Sequence, residues 1–327
     1  MSIVLLALAS CLSNGKAGED QLSDTMDVWD TVVDYAYIQK LMQDAVPPEL
    51  NTRGKIQCIE DNLYSIKRYE QDYESRVLEE RRHVFYGEDG AIVRDELYET
   101  NLYTSVNSDY AYDERGRLVS VVREISENES ETTAIVYDDA HALFTQVTRR
   151  NGEFFFGRVF LFREGVIEER SLDEDGVESE DWHEYRLNDF GKLDEVVSCR
   201  GGKRVVVEKY RYGKNGLPER LERYGVDGSP SFALEYTRDP RRRTFLVTAF
   251  DNAGNITRTV LHEYDDHDTI VYMRSEYPQY GEWEEKQYVN EYDEWGNVVR
   301  RTCESTMYAN GDFAKEIWVR EYRILYF

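Results

Sequence analysis

The sequence predicts a mainly β protein, a long antiparallel meander of β-hairpin repeats of about 25 residues, wound into a spiral, solenoid or shell, with one N-terminal capping helix. Three observations predict it. The phrase Tyr110-Ala111-Tyr112-Asp113-Glu114-Arg115-Gly116-Arg117-Leu118 returns as Glu291-Tyr292-Asp293-Glu294-Trp295-Gly296-Asn297-Val298. Between and around these two, a worn form of the phrase marks a ladder at Tyr86, Tyr112, Tyr137, Phe162, Leu187, Tyr212, Thr237, Tyr264 and Tyr292, with spacings of 25 to 28 residues. A fixed period of this length is the mark of a repeat architecture. Third, every period carries two turn signals, so the unit is a hairpin. Asp89-Gly90, Arg115-Gly116 and Asn215-Gly216 follow the ladder residue, and Asn151-Gly152, Asp175-Gly176 and Asp227-Gly228 fall half a period away. Gly or Asn supplies the positive φ that tight turns demand.

Taken from the N-terminus, residues 1–10 read as a signal peptide, since Ile3 to Ala9 is a short apolar run, too short to span a bilayer as a helix. Leu8-Ala9-Ser10-Cys11 resembles the bacterial lipobox, which implies lipidation of Cys11 and a membrane anchor. No Lys or Arg precedes the run, so a true start upstream is expected. Residues 11–21, with Ser13, Asn14, Gly15 and Gly18, read as a flexible tether. Residues 22–49 hold the one helix, its body at 24–45: Ser23 caps it, Asp24 and Asp27 suit the positive end of its dipole, and Pro47-Pro48 stops it. Met26, Trp29, Val33, Tyr37 and Leu41 make one apolar face, expected to cover the open edge of the first hairpins.

Residues 50–327 form the repeat domain. Runs such as Val205 to Tyr212 and Leu118 to Ile125 are rich in β-branched and aromatic residues, as strands are. Turns about every 12 residues from residue 52 onward give roughly 22 strands, each paired with the next. Open sheets rarely pass about 10 strands, so this one winds or closes. The ladder tyrosines are expected to stack across neighbouring strands.

The phrase Tyr-x-Tyr-Asp-x-x-Gly-Arg-Leu at residues 110–118, and its Tyr-Asp-x-x-Gly core at 292–296, resembles the YD repeat of Rhs-type and teneurin-type proteins. That resemblance implies hairpins wound into a long spiral or hollow shell.

With 65 acidic against 40 basic residues and a formal charge of -25, the chain repels phosphate backbones. Only Arg241-Arg242-Arg243 concentrates positive charge, and it sits in one turn. No phosphate-cradling Gly loop, nucleophile elbow or paired Cys-x-x-Cys is present, and no cofactor is expected. The densest polar cluster is His262 to Asp268, where His262, Asp266, His267 and Asp268 are weak metal candidates. Trp182, Trp283 and Trp295 lie near turns and are candidate platforms for sugar rings or peptide strands. Cys58, Cys199 and Cys303 are odd in number and read as buried thiols, although an envelope compartment permits a bond.

The function expected from these features is a lipid-anchored envelope repeat protein, a binding or structural surface for a protein or glycan partner, with no catalytic centre. Two alternatives stand beside it: an enzyme or metal protein whose site the wound sheet assembles, and an outer-membrane β-barrel. For the barrel speak the long meander and the terminal Phe327. Against it, both faces of Val205 to Tyr212 carry charge, whereas lipid demands one apolar face.

Overall fold

A computed structural model describes residues 52–68, 74–100 and 104–327. The expected signal peptide, Cys11, tether and helix all lie outside the described residues. The described chain is mainly β and contains no helix.

Twenty strands follow one another. The first ten are β1 (Ile56–Arg68), β2 (Glu74–Tyr86), β3 (Ile92–Glu99), β4 (Thr104–Tyr112), β5 (Leu118–Ser126), β6 (Glu129–Asp138), β7 (Leu143–Arg150), β8 (Glu153–Arg163), β9 (Val166–Leu172) and β10 (Glu178–Leu187). The second ten are β11 (Leu193–Arg200), β12 (Lys203–Tyr212), β13 (Pro218–Tyr224), β14 (Pro230–Asp239), β15 (Thr244–Asp251), β16 (Ile256–Tyr264), β17 (Ile270–Tyr277), β18 (Glu282–Tyr292), β19 (Val298–Ala309) and β20 (Asp312–Tyr326). Each is antiparallel to the next, and β1 is also antiparallel to β20, from Ile56 opposite Tyr326 to Ile66 opposite Ile317. The sheet is therefore a closed barrel.

Closure overturns the wound spiral, solenoid or shell, and with it the lipid-anchored YD-repeat reading. It also removes the reason for a capping helix, because the edge that such a helix was to cover is hydrogen-bonded to the other end of the sheet. The physical source of the misreading lies in the turns. Asp113 and Arg117 close a hairpin through the Asp113 N–H to the Arg117 carbonyl at 2.9 Å, and the Gly116 N–H donates to the Asp113 carbonyl at 2.9 Å. Gly116 sits at φ 76°, and the ladder slips by one residue between Ala111 and Tyr112. This is a type I turn followed by a left-handed residue and a bulge, a common hairpin connection. The Asp113 Oδ1 accepts from the N–H groups of Arg115 and Arg117, both at 2.9 Å. Asn188, Asp265 and Asp293 do the same in their own turns. Tyr-Asp-x-x-Gly thus reports local turn chemistry, which any hairpin array can use, and carries no instruction to spiral. Where the Gly is missing, Arg243 (φ 51°) and Asp268 (φ 58°) take the left-handed position.

The ladder tyrosines also do more than stack. The Tyr112 hydroxyl donates to the Ile92 carbonyl at 2.8 Å, Tyr137 to Leu118 at 2.9 Å and Tyr212 to Leu193 at 2.6 Å. Each reaches back one hairpin and ties the first residue beyond the preceding turn. The period in the sequence is the period of this tie.

Directly opposed residues of an antiparallel sheet share a face, so the register divides the wall in two. One face is crowded. It carries Phe144, Phe160 and Phe245, all at most 2% exposed, with Phe144 and Phe160 stacked at 4.7 Å and Tyr236 and Phe245 at 6.1 Å. Its largest apolar cluster runs from Ile135 and Phe144 through Phe160, Phe162 and Ile167 to Tyr185 and Val196, just below the Tyr-Asp turns. Guanidinium groups lie over some of these rings, Arg117 over Tyr137 at 4.1 Å and Arg238 over Phe245 at 4.6 Å. Such cover lets a single-layer sheet shield large side chains without a second layer. The other face is more open and carries ladders of charge.

Candidate functional site

Three features of the wall bear on function: the closing seam, the open face and the two rims. At the seam the crowded face holds a charged network where alternation alone would place apolar residues. The Arg320 guanidinium reaches Asp61 at 3.2 Å and Glu80 at 3.0 Å, and Arg82 grips Asp95 at 2.8 and 2.7 Å in a bidentate pair. Arg301, 1% exposed, donates to the Asn290 side chain at 2.9 Å. The rim end of the seam is tied by Asn297, also 1% exposed, whose amide accepts from the Arg53 N–H at 2.5 Å and donates to the Arg53 carbonyl at 2.9 Å and the Tyr326 hydroxyl at 2.6 Å. Charge pairs at this depth fix one arrangement, because removing either partner leaves an uncompensated buried charge. Sequence reasoning missed them, since Asp61, Arg82 and Arg320 meet only when residues about 240 apart are brought together, as in the Arg320–Glu80 bond.

On the open face acids and bases alternate across strands. Glu195 of β11 lies between Arg186 (3.3 Å) and Lys209 (3.1 Å), and Glu222 of β13 accepts from Arg211 at 2.8 Å and Arg220 at 2.7 Å. Arg220 continues to Glu235 of β14. Arg274 bridges Glu276 (2.7 Å) and Glu285 (3.1 Å) further round. Exposed pairs of this kind contribute about 0–1 kcal/mol each, so they set a polar wall more than they hold it together.

Both rims expose large apolar side chains. Phe190 (83% exposed), Trp295 and Phe327 stand at the Tyr-Asp end, and Phe155, Tyr280 (72%) and Phe313 at the other. Of the three tryptophans expected to form a platform, the barrel brings none together. Trp182 of β10 donates its ring N–H to Glu184 at 3.1 Å and lies under Arg170 at 4.6 Å. Trp283 packs with Tyr308 (6.3 Å) and Phe313 (6.1 Å) near one rim, and Trp295 packs on Tyr326 (5.8 Å) at the other.

The histidine–aspartate cluster is likewise dispersed. His262 is 7% exposed on the crowded face, stacked on Phe245 at 6.1 Å. His267 stacks on Tyr292 at 4.1 Å in the rim turn, where Asp266 pairs with Arg243 at 2.8 Å and Asp268 holds the left-handed position. Among the described residues no group of three or more His, Cys, Asp or Glu is placed to hold a metal ion. Cys58, Cys199 and Cys303 are thiols outside any disulfide, the last two buried.

No family model matches the chain, and no curated protein does. Among solved structures, the chain is similar to a porin-like protein from Bacteroides uniformis at 11% identity, over 83% of this chain and 96% of that one, with a TM-score of 0.36. A BenF-like porin from Pseudomonas fluorescens Pf-5 aligns at 7% identity over 84% and 98%, with a TM-score of 0.32. A TcdB2-TccC3 structure aligns at 12% identity over 83% of this chain but only 17% of its own length, with a TM-score of 0.23. The barrel stands on its own strand pairing.

Proposed function

We propose that this chain is a closed barrel of the cell envelope, of the outer-membrane kind, and that it works as a non-enzymatic conduit or wall. The pairing of β1 with β20 carries the reading. A sheet can enter lipid only when every backbone N–H and C=O is satisfied within it, and closure alone achieves that. The even count of twenty antiparallel strands, with tight turns at both ends, fits the same kind of barrel. Exposed Phe190, Trp295 and Phe327 at one rim, and Phe155, Tyr280 and Phe313 at the other, fit aromatic belts at two interfaces. Barrels of 16 to 22 strands enclose a lumen too wide for side chains to fill.

A second reading, a water-exposed barrel in the same compartment, is favoured by one specific observation. The Arg274–Glu285 pair of the open face lies at mid-strand, and the crowded face holds the Asp61–Arg320–Glu80 network. A Lys or Arg facing lipid at the bilayer midplane costs about 2–4 kcal/mol. One experiment separates the two: the purified protein is offered to liposomes and to a planar bilayer. The outer-membrane reading expects heat-modifiable migration and stepwise conductance. Protein left in the aqueous phase, folded and without conductance, would establish the water-exposed barrel instead.

A further inference from the structure

Among the described residues three Asn-Gly pairs occupy turns, at 151–152, 215–216 and 310–311. With no Cβ on the glycine, its backbone nitrogen can come close to the side-chain amide of the Asn before it. Two of the three turns are alike. Asn151 and Gly152 join Arg150 to Glu153, and Asn310 and Gly311 join Ala309 to Asp312. In both the central residues are left-handed, at φ 51° and 85° in the first and 55° and 88° in the second. These are two-residue type I′ turns. Both asparagines are exposed, and a Cβ placed on either glycine would meet nothing within 4 Å, so solvent reaches both.

The turns differ in what holds the amide. The Asn151 Oδ1 accepts the Ser130 N–H at 2.8 Å and the Asn151 N–H donates to the Ser130 carbonyl at 2.8 Å, so this side chain is pinned to the neighbouring hairpin. Asn215 is pinned within its own turn, its Oδ1 accepting the Leu217 N–H at 3.1 Å, and the Lys192 ammonium donates to the Gly216 carbonyl. Among the described residues the side-chain amide of Asn310 has no hydrogen bond; only its backbone N–H is engaged, donating to Glu282 at 3.3 Å.

We propose that Asn310-Gly311 is a self-modifying site, at which the Asn310 amide is lost as ammonia and a carboxylate takes its place. The Gly311 nitrogen forms a bond to the Asn310 Cγ, the bond from Cγ to the amide nitrogen breaks, and the departing ammonia carries away the Gly311 N–H proton. Solvent water then adds across one C–N bond of the five-membered imide, which restores the N–H and leaves aspartate or isoaspartate. A pinned amide must first give up its hydrogen bond to turn toward the glycine nitrogen, which sets Asn310 ahead of the other two. The new carboxylate stands beside Glu282 and Asp312, and isoaspartate also adds a carbon to the main chain of a turn only two residues long. The change therefore falls on the end of the β19–β20 hairpin, where Tyr308 and Phe313 pack at 4.9 Å and Trp283 stacks on Tyr308 at 6.3 Å.

The test is a time course of the folded full chain in mildly alkaline buffer, with mild detergent if it needs one, read by peptide mass spectrometry at the three pairs and by labelling with an isoaspartyl methyltransferase. Asn310 is expected to lose its amide at least about fivefold faster than Asn151 and Asn215, the equivalent of about 1 kcal/mol. In urea, where no turn holds any amide, the three rates are expected to converge. Asn310→Gln, whose longer side chain would have to close a six-membered ring, should leave the peptide at this turn unchanged in mass while the other two pairs react as before. The proposal is overturned if the Asn310 amide lasts as long as that of Asn151 in the folded protein, or if the same order of rates persists in urea, which would assign it to the flanking sequence and not to the fold.

Discussion

Asp113, Asp265 and Asp293 show what one side chain does repeatedly in this wall: each accepts two backbone N–H groups that the hairpin turn leaves without a ladder partner. Replacing Asp113 by Ala leaves both donors unmet and should cost about 1–2 kcal/mol, whereas Asp113→Asn keeps an acceptor oxygen and should cost less. Urea unfolding of the two variants checks the difference. On the opposite rim, the amide of Asn255 donates to Asp251 at 3.0 Å and holds its carboxyl below the usual carboxylate range. A hydrogen bond from Ser229 does the same for Asp227. A carboxyl depressed in the folded state adds stability that is fully present above its unfolded pKa, about 3.9, and is lost as pH falls through the lower folded value. The melting temperature should therefore fall as pH drops below about 4. Asp251→Asn should shrink that acid-side fall, and an unchanged slope would show that this turn carries none of it.

The hairpin is the unit at the next level, and the ladder Tyr is what joins one unit to the preceding one. Because Tyr112, Tyr137 and Tyr212 each donate to the carbonyl beyond the previous turn, a hairpin is completed only by its successor. The apolar cluster of β6 to β11 reinforces this by placing Phe144 (0% exposed) between Tyr137, Phe160 and Phe162. Phe144→Ala should cost about 3–5 kcal/mol, and Trp295→Ala, half exposed at a rim, should stay within about 0.5 kcal/mol. Thermal unfolding of the two variants side by side tests whether the stability of the wall lies in the crowded face or in the aromatic rims.

The whole molecule rests on one seam. Its backbone bonds join β1 to β20, its side chains add the Arg320 pairs to Asp61 and Glu80, and Asn297 ties the rim to Arg53. Asn62 and Glu321 lie directly opposite across that seam, so their Cβ atoms sit about 4.5–5.5 Å apart. The double variant Asn62→Cys, Glu321→Cys should form a disulfide under mild oxidation, read by peptide mass spectrometry, with little effect on β content. A spiral or an open shell would leave these residues far apart and uncrosslinked.

The repeat was legible in the chain because turn chemistry is local: five residues such as Asp113 to Arg117 contain the acceptor, the left-handed Gly and both ends of the closing bond. The strand runs between turns were legible for the same reason, through β-branched and aromatic content. Closure was not. Bonds between β1 and β20 are backbone bonds, the same for any pair of strands, and nothing in a 25-residue period records how far twist and tilt accumulate over twenty strands. The polar groups that mark the seam, Asp61 and Arg320, look in sequence like ordinary exposed alternation. The sequence alone thus determines the hairpins and their turns. The tertiary structure decides whether they wind or close, because only there do the first and last strands meet.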